Sequence, residues 1–329
     1  MYRKLKSITL KGSSSLLCNN LSILNAESGA VSYAVVHKTA VNISTVSEDS
    51  AVTNRQVVCK EPSATQQTVT VVIQAKWVTL QGRTVLVITS LRGIHMFESD
   101  GSSMIYWHTL GDVVSQGPPD HSNYAKGITG VDSNYICVGT QAGHVLVFVI
   151  PPMGTNIRLE TTITDHKYPV SDLTSTGKQF ASCDEMGNIL VYEVMGPLFK
   201  NSVMIRGTDG EACSSILLWN SILVAAFGNG QIKVFNSQTG KIGAVVNAHA
   251  RWINSIDIAT ESGQVLSVSE DTFLRVWKLH EGAAPHIEFQ FGESITDLQL
   301  VGGQFTQKGG RSLCVSGYDS PEIHIFSLS

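Results

Sequence analysis

Short runs of alternating apolar and polar residues occur along almost the whole chain, and turn-forming residues separate them. The clearest group spans residues 252–291, where Gly263 and the run Glu270-Asp271-Thr272 interrupt the alternation. A period of two over about 4 to 8 residues is typical of β-strands. The pattern therefore predicts a four-stranded unit with strands at 252–259, 264–269, 273–279 and 287–291.

The third strand of this unit carries an aromatic residue near its end, and that feature recurs. The residues that correspond to Trp277 are Phe97, Phe148, Tyr192, Phe235 and Phe326. Successive members are 51, 44, 43, 42 and 49 residues apart. A period of about 40 to 45 residues with four strands each indicates the blades of a β-propeller. A further N-terminal unit lacks the aromatic residue but repeats the strand pattern, so we predict an all-β ring of seven blades.

The C-terminal unit has only three predicted strands, at 295–300, 311–317 and 323–327. The segment 6–10 precedes the first blade in the place that an outer strand occupies before every other blade. We therefore predict that an N-terminal strand within residues 1–10 completes the last blade and closes the ring, which removes exposed sheet edges. Residues 1–329 would then form a single domain, with long surface loops at 47–67 and 111–126.

One unit carries four polar and aromatic residues at distinctive places. His249 precedes the first strand, Ser267 lies in the second, Asp271 in the following turn and Trp277 in the third. With this set and the period, the chain resembles the WD-repeat propeller family. The resemblance implies a buried hydrogen-bond chain from indole through hydroxyl and imidazole to carboxylate, since such groups are costly to bury unpaired.

The other units depart from this set. One retains His166, Ser182 and Tyr192, but Met186 stands at the position expected for the aspartate. The remaining units keep mainly the aromatic residue. The resemblance covers essentially the whole chain, and it rests on the period more than on the motif.

Composition favours an intracellular all-β protein. The chain is 43% hydrophobic and 15% charged, against a usual charged share of about 25%, which suits extensive buried strand. A net charge of −4 argues against a general nucleic-acid-binding surface. Six cysteines without a C-x-x-C pair indicate free thiols in a reducing compartment. Because neither a signal segment nor a long apolar run is present, we expect a cytoplasmic protein with no transmembrane segment; peripheral association with membranes or vesicles stays open.

The sequence predicts no catalytic, metal-binding or cofactor-binding residues. A hydrolase triad of His249, Ser267 and Asp271 is disfavoured because the structural set explains the same spacing. His95, His144 and His324 come from separate blades, lack a neighbouring ligand cluster and are predicted to face solvent. The alternative is a propeller-type hydrolase with acidic residues of raised pKa in its central channel.

Candidate binding residues lie in the connections before the first strand and between the second and third strands, which reach the same face of a propeller. Tyrosine, tryptophan and arginine are frequent binding hot spots. The candidates are Arg92, Lys167, Tyr168, Arg251, Trp252 and Tyr318, with Gln141, Asp184, Glu185, Asn229, Glu270 and Asp319 on the same rim. We predict a noncatalytic scaffold for proteins or peptides. The alternatives are that Tyr168 and Trp252 only fill gaps between blades, or that the chain assembles with itself.

Overall fold

Seven antiparallel sheets contain all the strands of this computed structural model, which describes residues 1–60, 69–111, 123–208 and 210–329. No helix occurs in those ranges. Each sheet is one blade, and the first strands of successive blades lie side by side around a central channel. The prediction of a seven-bladed, all-β propeller is confirmed.

Each blade from 1 to 6 has four strands in chain order from the channel outward. The chain starts with two short strands that belong to blade 7, β1 (Tyr2–Lys4) and β2 (Ile8–Thr9). Blades 1 to 3 contain β3 (Ser22–Asn25), β4 (Val31–His37), β5 (Ala40–Val46), β6 (Val52–Val58), β7 (Val72–Leu80), β8 (Arg83–Ser90), β9 (Gly93–Glu98), β10 (Met104–Thr109), β11 (Ala125–Val131), β12 (Tyr135–Thr140), β13 (Val145–Val149) and β14 (Arg158–Ile163). Blades 4 and 5 contain β15 (Val170–Thr176), β16 (Gln179–Asp184), β17 (Ile189–Met195), β18 (Leu198–Ile205), β19 (Cys213–Trp219), β20 (Ile222–Phe227), β21 (Gln231–Asn236) and β22 (Ile242–Asn247). Blade 6 and the rest of blade 7 contain β23 (Ile253–Ala259), β24 (Gln264–Ser269), β25 (Phe273–His280), β26 (His286–Ser294), β27 (Leu300–Phe305), β28 (Ser312–Gly317) and β29 (Glu322–Leu328).

The hydrophobic core lies in layers between neighbouring blades. Second strands such as β12 and β20 are buried at every position, because each blade is covered on both faces. Phe148 and Tyr192 are fully buried in such layers, as the recurring aromatic residues require. Burial on both faces explains why these strands are continuous apolar runs instead of strict alternations.

The N-terminal segment closes the ring, as predicted. β1 and β2 both pair antiparallel with β29, so blade 7 contains residues from both ends of the chain. Tyr2 packs against Phe291 with ring centroids 5.3 Å apart. Ile8 and Leu10 are buried in a cluster with residues of blades 1 and 7. The closing strand is therefore held by side-chain packing as well as by backbone pairing.

The prediction for the first strand of blade 7 was wrong. We expected it at 295–300, whereas β27 covers Leu300–Phe305. The cause is a glycine pair within the real strand. A Cβ at Gly302 would lie 2.6 Å from Cβ of Leu21, and one at Gly303 would lie 2.7 Å from Cγ1 of Val268. Blades 1 and 6 approach too closely for side chains here, and glycine weakens the strand pattern.

The two predicted long loops lie partly outside the described residues, namely at 61–68 and 112–122. Within 47–67 the structure places β6, followed by an isolated bridge between Lys60 and Val69. All six cysteines are free, and all except the half-buried Cys18 are buried. Desolvation raises the pKa of the Cys59 thiol to about 12, so this thiol is an apolar core group at neutral pH.

Candidate functional site

One face of the ring, which we call the upper face, carries the turns between the second and third strands. In blades 2 to 7 a backbone N–H of this turn donates to the carbonyl of the residue immediately before the first strand of the same blade. The pairs are Leu91 to Val71, Gln141 to Tyr124, Glu185 to Pro169, Gly228 to Ala212, Glu270 to Trp252 and Tyr318 to Gln299, at 2.8 to 3.1 Å. This repeated bond places both kinds of connection on the upper face.

Most of the sequence-predicted binding residues are exposed there. Lys167 and Tyr168 precede β15, Arg251 precedes β23, and Arg92 and Tyr318 follow second strands. Tyr168 and Tyr318 are 44% and 46% exposed, which is high for an aromatic residue. Lys167 and Tyr168 line a common cleft, whereas the other three belong to blades 2, 6 and 7. Their part in binding stays a prediction.

Two residues of the predicted rim have structural roles. Trp252 is half-buried, and its indole covers Gly228, where a Cβ would lie 2.4 Å from the ring. Trp252 therefore fills the junction between blades 5 and 6. Asp184, which we placed on the exposed rim, is 1% exposed. That expectation was wrong because its carboxylate turns inward to a histidine.

Blade 6 contains a continuous buried hydrogen-bond chain. Trp277 Nε1 donates to Ser267 Oγ at 2.9 Å, and Ser267 Oγ lies 2.8 Å from His249 Nε2. His249 Nδ1 lies 3.0 Å from both oxygens of Asp271. Burial lowers the pKa of His249 despite the opposing charge of Asp271, so the imidazole is neutral at pH 7. Nδ1–H then donates to the carboxylate and Nε2 accepts from the serine hydroxyl, which satisfies every member.

Blade 4 repeats the serine, histidine and carboxylate part of this chain with a different source of the carboxylate. His166 Nε2 lies 2.7 Å from Ser182 Oγ, and His166 Nδ1 lies 3.0 Å from Asp184 Oδ2. Our expectation that Met186 left this blade without an aspartate was wrong. Asp184 is two residues nearer the serine than the Asp271 spacing requires, at the last position of β16. The Asp184 carboxylate also accepts from the backbone N–H and the side-chain amide of Asn188. It therefore stabilises the turn from the end of the preceding strand, whereas Asp271 lies within its turn.

Polar side chains of the first strands tie neighbouring blades together in what we call the inner belt. In each case a side-chain oxygen accepts from a backbone N–H of the next blade. The pairs are Ser22 Oγ with Trp77 (3.0 Å), Gln74 Oε1 with Gly127 (2.8 Å), Asp172 Oδ2 with Ile216 (3.0 Å), Asp257 Oδ2 with Phe305 (2.7 Å) and Gln304 Oε1 with Ile23 (2.8 Å). Sequence reasoning missed this belt. Its only signal is a polar residue where a first strand should be apolar.

The central channel holds the acidic residues on which the hydrolase alternative depends. Its cavity has a volume of about 100 Å³ and includes Asp172 and Asp257, which is room for a handful of waters. Both oxygens of Asp172 already accept, one from Leu173 N–H and the other from Ser215 and Ile216. Desolvation raises the pKa of Asp257 to about 6, although hydrogen bonds from backbone N–H groups and the positive charge of Lys76 act to lower it. A single carboxyl group with a raised pKa is explained by a structural role, because Asp257 joins two blades.

Replacing Asp257 by Asn is expected to stabilise the protein at pH 7 by a few degrees in Tm, on the order of 2 to 5 °C. The amide keeps an oxygen for Phe305 N–H and removes a charge from a desolvated site. Because the folded pKa, about 6, exceeds an unfolded value of about 3.9, the wild-type gains stability from this group as pH falls through 6 towards 4. The Tm difference between variant and wild type should therefore shrink over that range. Glu261→Gln, an exposed carboxylate of the same blade, is the control; a constant difference at all pH values would contradict the assignment.

The remaining histidines within the described ranges do not form a metal site. Among the described residues no group of three histidine, cysteine or acidic side chains could hold a metal ion. His95 and His324 are buried, not solvent-facing as predicted, and His144 is half-buried. The His95 ring packs on Trp107, and its Nε2 lies 3.2 Å from Ser90 Oγ. Desolvation lowers the pKa of His95 to about 4, so it is neutral. Within the same described ranges, no helix is long and apolar enough to cross a membrane.

Solved structures share the architecture at low sequence identity. A chain in a crystal structure of the mitotic checkpoint complex superposes with a TM-score of 0.75 and 15% identity, covering 99% of this chain and 96% of that chain. The WD40 propeller domain of Doa1 has a TM-score of 0.71 and 13% identity, covering 100% of this chain and 98% of its own. At these identities the similarity shows the fold alone.

Full-length relatives share much more of the sequence. WD repeat-containing protein 54 of Homo sapiens is 38% identical, covering 99% of both chains. WD repeat domain 54 of Rattus norvegicus is also 38% identical, covering 98% of both. A family model described as WDR54 matches residues 1–329. The chain therefore belongs to the WDR54 family of WD-repeat propellers.

Proposed function

We propose that this protein is a noncatalytic scaffold that binds proteins or peptides on its upper face. The observation that carries the proposal is the exposure there of Arg251, Tyr168 and Tyr318 on short connections that hydrogen bonds tie to rigid blades. Large amphipathic side chains on a rigid frame bind with little loss of conformational entropy. We also propose a cytoplasmic location, with proteins and not nucleic acid as partners.

The groups that could support catalysis are engaged in holding the blades. The two His–Asp–Ser sets are buried, and their hydrogen bonds lie within blades 4 and 6. The channel cavity, at about 100 Å³, is well below the roughly 300 to 1,000 Å³ of small-molecule sites. Among the described residues, the raised pKa of Asp257 is the one feature that favours a hydrolase, and the belt bond to Phe305 accounts for its position.

Self-association is a second candidate function, and one edge strand favours it. β22 has no charged residue, and Ile242 and Val245 are 52% and 51% exposed on it. An uncharged apolar edge is a template for pairing with another strand. Light scattering over a range of concentrations tests this candidate, since a monomeric mass throughout would contradict it.

The scaffold proposal is tested by affinity purification from cell lysate with quantitative mass spectrometry. The baits are wild type, Arg251→Glu/Tyr318→Ala, and Lys308→Glu as a charge-matched control on the opposite face. Trp252 is left intact because its removal would open the junction between blades 5 and 6. We expect specific proteins that the wild type and the control recover and the upper-face variant loses. Equal recovery by all three folded baits would contradict binding through this face.

A further inference from the structure

The outer edge of blade 5 is the strand β22. Within the described ranges of the chain β22 pairs only with β21, so the backbone N–H and C=O groups on its other side lack a ladder partner. An added strand would satisfy these groups with the regular spacing of a sheet. The edge therefore selects an extended segment of backbone as its occupant.

Charged side chains protect most of the other outer strands of the ring. They are Arg3 and Lys4 on β1, Arg55 on β6, Arg158 and Glu160 on β14, Lys200 on β18, and Glu288 and Glu293 on β26. The strands β10 and β22 have none, and the exposed positions of β10 are only its two ends. Val245, by contrast, is exposed inside β22. Because a charge on an edge strand opposes pairing with another chain, β22 is the least protected of these edges.

A bulge limits the regular part of this edge. The register between β21 and β22 shifts at Gly243. A Cβ at Gly243 would collide with the carbonyl oxygen of Pro285, so blade 6 packs against the bulge. Residues 244–247 therefore form the regular edge, and Val245 is the exposed side chain in its interior.

The charges around β22 allow a second copy of the same strand to pair with it. Lys241 precedes the strand. Antiparallel pairing centred on Val245 places each Lys241 beyond Asn247 of the second copy, so the two lysines lie on the order of 27 Å apart. Lys233, the neighbour of Val245 on β21, is paired with Glu211 at 3.2 Å. No like charges therefore meet along the paired strands.

The closed shape of the ring keeps the flanking charges apart as well. Lys200 lies on blade 4, and Glu288 and Glu293 lie on blade 6. Two rings that touch at blade 5 curve away from each other on both sides of the contact, so these side chains are separated from their copies across the two-fold axis.

We infer that two copies of this chain pair antiparallel through β22, about a two-fold axis at Val245, and join their fifth blades into one continuous sheet. This inference rests on self-association, the second candidate function, and names its surface and geometry. The same residues of both copies form such an interface. Each strand of a blade crosses the ring from one face to the other, and the paired strands run in opposite directions. The upper faces of the two rings therefore point in opposite directions, and the dimer presents its scaffold surfaces on both sides.

Sedimentation velocity of the full chain tests the pairing. A short strand pair buries less than the roughly 1,200 Å² of a stable interface, so the concentrations extend to about 500 µM. The samples are wild type, Val245→Lys, Val245→Glu and an equal mixture of these two variants. Leu159→Lys is the matched control, because it places the same charge at an exposed apolar residue of the outer strand β14. Circular dichroism verifies that each variant is folded.

We expect a concentration-dependent dimer of wild type and of Leu159→Lys. The association constant should fall at least about tenfold in Val245→Lys and in Val245→Glu, because each variant places like charges opposite each other, and the mixture should restore it. A wild-type dimer that both variants retain, or that the mixture fails to restore, would overturn the pairing through β22 while self-association stands. A monomer at every concentration would overturn both and leave the edge to a strand of another protein. The scaffold function of the upper face is tested separately and does not depend on this result.

Discussion

Deletion of residues 1–10 is expected to unfold the protein or to lower its Tm by more than any surface substitution. The deletion removes the buried side chains of Tyr2, Ile8 and Leu10, each of which stabilises the fold by about 1.5 to 3 kcal/mol. Their sum, roughly 5 to 8 kcal/mol, is comparable with the whole stability of a typical domain, about 5 to 15 kcal/mol. Thermal unfolding followed by circular dichroism measures the loss.

The same deletion turns β29 into an exposed sheet edge, so aggregation is expected in size-exclusion chromatography. Ile8→Ser/Leu10→Ser separates packing from pairing, because it keeps the backbone bonds of β2. Arg3→Ser/Lys6→Ser is the matched control, since both side chains are exposed in the same segment. Unchanged melting of the deletion variant would refute closure of the ring by the N-terminal strand.

The period of the aromatic residues was sufficient to predict six of the seven blades because it reflects packing, whereas the first blade was predicted from its strand pattern. Each third-strand aromatic fills the layer between two blades. The number of residues from Tyr192 to Phe235 is therefore the length of chain in one blade. The pattern failed at β27, where Gly302 and Gly303 have no side chains to alternate. Both positions require glycine because Leu21 and Val268 approach them closely from other blades. A local sequence pattern carries no information about that approach.

The hydrogen-bond sets were predictable only where the spacing was standard. Asp271 was identified by its distance from Ser267, whereas Asp184 was missed because it reaches the histidine from an earlier position. The histidine needs a carboxylate oxygen near its Nδ1. An aspartate at either of two backbone positions, that of Asp184 or that of Asp271, can place an oxygen there. A search for any acidic residue near the turn would have found it.

The inner belt could not be predicted from local sequence because each bond joins residues about one blade apart. Asp257 and Phe305 are 48 positions apart, and their contact depends on the register of two separate sheets. Blades with a His–Asp set and blades without one both contribute to the belt. Blades 4 and 6 offer Asp172 and Asp257 to their neighbours, and blades 2 and 7 offer Gln74 and Gln304. Stability within a blade and between blades therefore has different sources.

Asp271→Asn is expected to destabilise the protein by about 2 to 4 kcal/mol at pH 7, because the carboxylate accepts charge-assisted hydrogen bonds in a nearly buried site. Its partners are His249 Nδ1 and the backbone N–H groups of Ala250 and Phe273. Arg275 Nη1 lies 3.4 Å from its Oδ2. An amide has no charge for the histidine and the arginine, and it has one accepting oxygen instead of two. Urea unfolding measures the difference, and Glu270→Gln in the same turn is the control.

The pH dependence distinguishes this role from a general packing defect. Burial acts to raise the pKa of Asp271, but the hydrogen bonds from His249, Ala250 and Phe273 outweigh it and hold the pKa well below its ordinary value. A depressed folded pKa gives stability that is fully present above the unfolded value of about 3.9 and is lost as pH falls through the folded pKa. The free-energy difference between wild type and Asp271→Asn should therefore be constant from pH 5 to pH 7 and decrease below about pH 4. A difference that stays constant down to the lowest pH at which both proteins fold would show that the ionised carboxylate does not hold blade 6 together.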